Sequence, residues 1–245
     1  MMEYPGDFWI MAVSGLMLQA MNFGFLAVLF TRIDTVAGWS YHEMLVLSGF
    51  ISVVMALVEG GWDGVWTIGR MVVEGDLDYR ITRPAPVSVQ IGSSAIGMQA
   101  FGNLTAGLAM AAYGWIGAGI GFDPVTLAVA VPLFASAVAI QASYLTILNG
   151  LGFWLKGRYG SFAYAAVQLQ HSVGRYPMSI YPAAIRAAFT VGLPFAFVNF
   201  IPAQILTGRV PLAWAVLPPI AAAALVGLSA LVLRLGLRSY DSAGH

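Results

Sequence analysis

The chain has 245 residues, of which 59% are hydrophobic and only 9% are charged, and its formal net charge is zero. A soluble domain carries about 25% charged residues, so this composition excludes a water-soluble globular protein. The balanced charge gives no indication of a nucleic-acid partner, and the absence of cysteine excludes disulfides, zinc–thiolate sites and iron–sulfur clusters. The chain is therefore predicted to be an all-α polytopic membrane protein whose exterior largely contacts membrane lipids.

The hydrophobic segments predict six transmembrane helices in a single transmembrane domain over residues 1–245. Each span needs about 20 apolar residues, and segments of suitable length lie at about 8–30, 44–66, 92–120, 126–154, 160–174 and 212–233. Asp123 before Pro124 is a good N-cap for the fourth of these helices. The most polar segment, 70–86, follows the second span, whose helix is expected to extend beyond the membrane surface.

The segment 177–207 does not fit a single helix. Pro177, Pro182, Pro194 and Pro202 interrupt it, and each proline removes a backbone donor. Irregular backbone at membrane depth is tolerated only where protein or water covers it. We therefore predict re-entrant helices between spans five and six, while the alternative places the fifth span at 183–200.

The basic residues predict that both termini lie inside. In this topology the inner segments hold seven basic residues and the outer segments hold four, which agrees with the positive-inside rule. The inner set is Arg70, Arg80, Arg83, Lys156, Arg158, Arg234 and Arg238, and the outer set is Arg32, Arg175, Arg186 and Arg209.

The chain lacks the motifs of ATP hydrolysis and of common catalytic sites. Lys156 is the only lysine and is followed by glycine, so a phosphate-binding loop is excluded. His42-Glu43 lacks the second histidine of a zinc-protease helix, and the three histidines are too scattered to predict a metal site. We expect no catalytic residue, metal or cofactor in this chain.

Several polar residues fall inside the predicted spans, where they are costly and often functional. They are Gln19, Asn22, Gln99, Asn103 and Gln141. One interpretation is interhelical hydrogen bonding, worth under about 1 kcal/mol each, and the other is that they line a substrate path. Glu59, at the inner end of span two, is either solvated at the interface or a functional carboxylate.

The polar segment after span two predicts a short amphipathic helix at the inner membrane surface. Leu77, Ile81 and Pro84 are expected on one side, with charges of both signs around them. Mixed charge favours docking of a soluble partner over adhesion to lipid, which would favour basic residues. The candidate docking residues are Glu74, Gly75, Asp76, Leu77, Asp78, Arg80, Ile81, Arg83 and Pro84. Either Asp78→Arg or Leu77→Asp is expected to abolish the action of this docking segment and to leave membrane insertion intact.

The sequence resembles the permease subunits of ABC-2-type transporters, in particular the branch described as an uncharacterised ABC transport system permease. The matching pieces follow the family's order and spacing over nearly the whole chain. They are Gly38-Trp39-Ser40 with Glu43, Gly75–Asp78 running to Arg83-Pro84, Tyr176-Pro177 with Ile180-Tyr181, Pro194–Ala203, and the tail Gly236–Gly244. Family members usually carry a longer cytoplasmic segment before span one, which forms an interfacial helix, whereas only Met1–Asp7 precede it here. Either that helix is absent or the start site is internal.

The resemblance implies a subunit of an ATP-driven exporter in the plasma membrane of a prokaryote. It also implies a second permease, identical or homologous, and two cytoplasmic ABC ATPase subunits that bind ATP and Mg²⁺. In this scheme the segment 70–86 is the coupling helix seated on an ATPase. The alternatives are an ATP-independent carrier or channel, and a lipid-modifying enzyme whose only candidate acidic pair is Glu59 with Asp63.

Overall fold

A computed structural model describes residues 5–155 and 160–240 of the chain. Within these residues all regular elements are helical, and the only β-pairing is an isolated bridge between Val36 and Trp39. The α-helices are α1 (Pro5–Phe30), α2 (Tyr41–Trp62), α3 (Ile68–Glu74), α4 (Asp76–Ile81), α5 (Val87–Gly92), α6 (Ala100–Gly117), α7 (Pro124–Gly150), α8 (Gly152–Leu155), α9 (Gly160–Gly174), α10 (Ala183–Ala187), α11 (Phe200–Leu206) and α12 (Leu217–Arg238).

Four stretches of the described chain are long and apolar enough to cross a membrane: Gly6–Phe30, Tyr41–Glu74, Pro124–Leu155 and Leu212–Arg238. A fifth is present if the bent pair in the proline-rich segment is one span. Helices α6 and α9, with 18 and 15 residues, are shorter than these four. The all-helical polytopic fold is therefore confirmed, and the count of six spans and its topology remain predictions.

Helix α2 is the central element of the bundle. In its most apolar stretch 78% of the residues are buried inside the protein, whereas the buried share of the corresponding stretch of α1 is 11%. A Ser40–Glu43 capping box starts α2, and the helical path continues through a 3₁₀ turn (Asp63–Thr67) into α3. The whole stretch Tyr41–Glu74 has 34 residues, or roughly 50 Å at 1.5 Å per residue. This exceeds the membrane core of about 30 Å, so part of the stretch extends beyond the core.

Glycines allow α6 to pack closely against α2. A Cβ atom on Gly49 would lie 2.4 Å from the backbone N of Ala111, and one on Gly114 would lie 2.7 Å from the backbone N of Val46. Both distances are shorter than van der Waals contact, so only glycine permits this backbone separation. Small residues at helix contacts are the usual means of close packing in membrane bundles.

The predicted third span, 92–120, begins too early. Helix α5 ends at Gly92, and α6 starts only at Ala100. Between them the chain crosses the C-terminal end of α2, where the backbone N of Gly97 donates to the carbonyl O of Glu59 at 2.9 Å. A Cβ atom on Gly64 would lie 2.0 Å from the carbonyl O of Ile91. This close crossing interrupts the helix, and apolar composition alone does not reveal it.

The proline-rich segment is a series of short helices. They include 3₁₀ turns at Met178–Ile180 and Pro194–Phe197, α10 with a π-helical continuation over Ala188–Gly192, and α11. The helical parts Ala183–Thr190 and Phe195–Leu206 meet at an angle of 71°. A fifth span over 183–200 would therefore be bent, and the choice between a broken span and re-entrant helices remains a prediction.

The remaining predicted spans agree with helices in position. Helix α7 begins at Pro124 after the predicted Asp123 N-cap, whose Oδ1 accepts hydrogen bonds from the backbone N–H groups of Val125 and Thr126. The stretch 212–233 opens with a 3₁₀ turn, and α12 continues to Arg238. Lys156 and Arg158 of the orientation argument, and residues 241–244 of the family-like tail, lie outside the described residues.

Candidate functional site

Polar side chains cross the bundle along one face of α2. Ser48, Ser52, Glu59 and Asp63 are spaced by four, seven and four residues, which places them on the same side of the helix and of the 3₁₀ turn that follows it. Ser48 lies near the end that holds the α1–α2 loop, and Asp63 lies near α5 at the opposite end. Helix α2 thus contributes a polar strip along most of its length.

A chain of hydrogen bonds joins this strip to α1 and α6. Ser52 Oγ lies 3.0 Å from Gln19 Oε1, and Gln19 Nε2 donates to Asn103 Oδ1 at 3.4 Å. Asn103 Nδ2 in turn donates to Glu59 Oε2 at 3.0 Å. These contacts fit the interpretation of the predicted polar residues as interhelical hydrogen bonds, and they hold the Glu59 carboxylate in one orientation.

Helix α9 presents a second polar strip towards α2. Tyr164, Gln168, His171 and Arg175 are spaced by four, three and four residues, so they share one face of α9. The helix packs against α7 and the turn Pro194–Phe197. Its polar face and that of α2 line two cavities.

The larger cavity has a volume of about 320 Å³, which is within the range of small-molecule pockets. Its polar and aromatic lining residues are Glu59, Asp63, Trp66, Gln99, Gln141, Tyr164, Gln168 and His171. The smaller cavity has a volume of about 20 Å³, enough for about one water molecule. Its polar lining residues are Gln19, Asn22, Ser52, Asn103, His171 and Arg175.

The two cavities adjoin, because Met55 and His171 line both of them. Together they form a polar track with a wide part beside Glu59 and a narrow part beside Arg175. All five residues predicted for a substrate path lie on this track: Gln19, Asn22 and Asn103 at the narrow part, Gln99 and Gln141 at the wide part. Residues from three separate helices are therefore brought together.

Gln141 differs from the others because its amide is already paired. It is fully buried and exchanges two hydrogen bonds with Gln170 of α9, at 3.2 and 2.6 Å. The pair holds α9 against α7 and so fixes the wall of the wide cavity. The α9 residues Tyr164, Gln168 and His171 are absent from the sequence prediction, although their helical spacing was the signal that could have identified them.

The segment predicted to be a coupling helix is a helix–turn–helix at one end of the bundle. Helix α3 ends at Gly75, whose left-handed backbone (φ 79°, ψ 7°) is readily adopted by glycine, and α4 follows immediately. Arg80 Nη1 donates to the carbonyl O of Gln90 at 2.8 Å, and Gln90 Nε2 donates to the carbonyl O of Arg80 at 3.0 Å. These two bonds hold the loop between α4 and α5 closed.

Leu77 is not on the outer side of this segment. It is fully buried and belongs to a hydrophobic cluster with Met71, Phe153 and Leu233. Ile81, expected on the same side, is 48% exposed. The prediction of a continuous Leu77–Ile81–Pro84 ridge is therefore wrong: Leu77 anchors α4 to the bundle, and a change there disturbs packing.

The outward side of the segment consists of Tyr79, Ile81, Arg83 and Pro84, all of which are exposed and are called the α4 surface below. The Arg83 guanidinium lies 4.2 Å above the centre of the Tyr79 ring and donates to the Tyr79 hydroxyl. Glu74 and Asp76 are exposed beside this surface, and Gly75 is half-buried. The α4 surface is therefore partly apolar, with charges of both signs at or beside it.

Asp78 lies on the side of α4 that faces the end of α12. Burial and the neighbouring carboxylates of Asp78 and Asp76 raise the pKa of the Tyr240 hydroxyl. Tyr240 packs against the hydrophobic cluster that contains Leu77. The C-terminal end of α12 and helix α4 therefore meet at the same end of the bundle.

The Gly38-Trp39-Ser40 motif with Glu43 is a structural clamp at the opposite end. Arg209 donates from Nε and Nη2 to the two Glu43 oxygens, at 2.9 and 2.6 Å, and from Nη2 to the carbonyl O of Gly38 at 2.7 Å. Its guanidinium also lies 4.5 Å from the centre of the buried Trp39 ring. This arrangement ties the α1–α2 loop to the loop that follows α11.

The Pro194–Ala203 motif also has a structural role. Asn199 is buried, and its Nδ2 donates to the carbonyl O of Gly174 at 2.5 Å and lies 3.5 Å from that of Leu47. The side chain therefore joins the end of α9 to α2 beside Arg175 and Ser48 of the polar track. The broken helices thus pack on the track through a specific contact.

The fold agrees with a comparison against protein families. A model described as "ABC-2 family transporter protein" matches residues 16–244, which include most of α1 and all of α2 to α12. No curated protein and no solved structure is significantly similar to the chain. Such permeases are membrane transport components and are generally not catalytic themselves. With its apolar helices, its polar track and a match over nearly its full length, this multi-pass membrane protein belongs to the ABC-2 transporter family.

Proposed function

We propose that the chain is the permease subunit of an ATP-driven ABC exporter and that the α4 surface docks on its ATPase. ATP and Mg²⁺ bind in the ATPase subunits, of which two serve one pair of permeases. The second permease is another copy of this chain or a homologue. The complex resides in the plasma membrane of a prokaryote, with both termini and the α4 surface in the cytoplasm.

The observation that carries this proposal is an exposed surface on a rigidly anchored segment. Tyr79 and Ile81 are 64% and 48% exposed, whereas Leu77, on the same short helix, is fully buried. Tyrosine and arginine are enriched in protein interfaces, and the α4 surface offers both, together with an apolar side chain and a proline. Family membership supports an ABC ATPase as the occupant.

The same anchoring supplies a route from the ATPase to the polar track. Displacement of α4 is transmitted through Leu77 to α3, and α3 continues through the 3₁₀ turn into α2. Glu59 and Asp63 lie along this continuous stretch, at the wide cavity. Closure of two ATPases against each other would therefore move one wall of the cavity relative to α9, as expected for a rigid-body switching transition.

The docking proposal is tested with a substitution on the exposed side. Ile81→Asp is expected to reduce co-purification with the ATPase at least about tenfold, because it places a charge in an apolar contact. Ile33→Asp is the matched control, since Ile33 is 39% exposed in the α1–α2 loop. Both proteins should remain folded in mild detergent, as judged by gel filtration.

Tyr79→Ala provides a second, milder test of the same surface. It removes an aromatic side chain and the stacking partner of Arg83, and should lower ATPase stimulation without changing expression. Full ATPase association and stimulation in both variants would refute docking at α4. Transport by the purified chain without any ATPase would instead favour a carrier or channel.

A further inference from the structure

We infer that the wide cavity between α2 and α9 binds the cationic group of a lipophilic substrate, with Glu59 and Asp63 as its counter-charges. This inference rests on the proposed transport function and adds a substrate class to it. The shape and volume of the cavity suit a small-molecule group. The negative charge of the cavity lining and the polar groups in it that have no partner indicate that this group is a cation.

The charge of the lining is negative. Glu59 and Asp63 are four residues apart and face the same cavity, where like charges at this spacing destabilise each other. Among the described lining residues the only other titratable side chains are His171 and Tyr164. Arg175 lies one helical turn beyond His171 and lines only the narrow cavity. A bound cation would relieve the repulsion between the two carboxylates.

The hydrogen-bonding capacity of the cavity is largely unused. Asn103 donates to Oε2 of Glu59, whereas Oε1 of Glu59 and both Asp63 oxygens accept no hydrogen bond from the described residues. The side-chain amides of Gln99 and Gln168 also make none within the described part of the chain. The two carboxylates are half-buried and the two amides are exposed, so these groups are available to a ligand or to water.

The remaining lining suits an apolar body carrying the charge. Trp66 and Tyr164 offer aromatic rings, on whose faces organic cations are bound favourably. Met55, Leu145 and Val167 complete the wall. Aromatic and aliphatic side chains around two carboxylates thus favour a lipophilic cation over an anion of the same shape.

The inference is tested by binding to the purified full-length chain in a non-ionic detergent, without ATP or ATPase. The probe is radiolabelled tetraphenylphosphonium, and the binding of tetraphenylborate, an anion of nearly the same size and shape, is measured in a separate experiment. Glu59→Gln and Asp63→Asn should each raise the Kd for the cation at least about tenfold, because each removes a desolvated counter-charge. Asp34→Asn, at an exposed position in the α1–α2 loop, should change it less than about twofold.

Glu59→Gln keeps an acceptor for Asn103, and Asp63→Asn removes no hydrogen bond between described residues, so at least one of the two variants is expected to fold. Cation binding that is absent or that survives both changes, or tetraphenylborate binding of equal affinity, would overturn the inference. Because no ATPase is present, the result is independent of the docking experiment. Intact docking with no cation binding would refute only the substrate class, and the reverse would refute only the ATPase assignment.

Discussion

The contact between α2 and α6 predicts a strong effect from adding a single methyl group. In Gly49→Ala the new Cβ would lie 2.4 Å from the backbone N, 2.7 Å from the Cα and 2.9 Å from the Cβ of Ala111. Ordinary contact begins at 3.4 Å, so the shortfall is about 1 Å. None of these atoms belongs to a flexible side-chain end, so the two helices must move apart.

The expected cost follows from a comparison with a glycine in open space. No heavy atom lies within 4 Å of the position that a Cβ atom would take at Gly227 in α12, so Gly227→Ala shares the gain in helix propensity but not the clash. Overpacking costs about 1–3 kcal/mol, and each kcal/mol corresponds to about 2–4 °C in a chain of this size. Gly49→Ala should therefore unfold about 2–12 °C below Gly227→Ala.

The assay is thermal unfolding in dodecyl maltoside followed by intrinsic tryptophan fluorescence, since the chain has seven tryptophans. Thiol-reactive dyes report nothing here because the chain has no cysteine. The same displacement would strain the Asn103–Glu59 hydrogen bond between α6 and α2. A melting temperature for Gly49→Ala equal to or above that of Gly227→Ala would refute the close α2–α6 contact.

Three further predictions concern the clamp, the broken helices and the topology. Arg209→Lys should lower the free energy of unfolding by about 1–3 kcal/mol, because lysine loses the bidentate contact with Glu43 and the stacking on Trp39. A stability equal to that of the exposed control Arg32→Lys would argue against the clamp. Asn199→Ala should cost about 1–3 kcal/mol by leaving the carbonyl O of Gly174, at the end of α9, without its donor. Unchanged melting would contradict that contact. In intact cells a membrane-impermeant maleimide should label Asp34→Cys but label Thr82→Cys only after permeabilisation, and the opposite pattern would reverse the predicted topology.

Much of the fold follows from composition and local pattern. A chain with 9% charged residues cannot cover a water-exposed surface, which requires membrane helices. Asp123-Pro124 marks a helix start because its cap is formed within four residues. The prolines between 177 and 202 predict broken helices because each one removes a local donor. Such features depend on residues that are close in sequence, so they can be predicted from the sequence alone.

The residues of the polar track were only partly predictable. Gln19, Asn103 and Glu59 are conspicuous because polar groups are rare in apolar spans. Their mutual hydrogen bonds depend on the alignment of three helices, which sequence spacing does not give. Gln168 and His171 lie in a segment of mixed polarity, so only the position of α9 across from α2 identifies them as cavity residues.

The amino-acid sequence was enough to predict a polytopic helical protein of the ABC-2 family, its caps, its broken proline-rich segment and the polar segment after α2. Packing in three dimensions was needed to show that Leu77 points into the bundle while Ile81 points out. It was also needed to show that the helix before α6 is interrupted where Gly64 and Gly97 let the chain cross α2. The physical reason is that helix formation depends on local composition, whereas burial and helix breaks here depend on contacts between segments far apart in sequence.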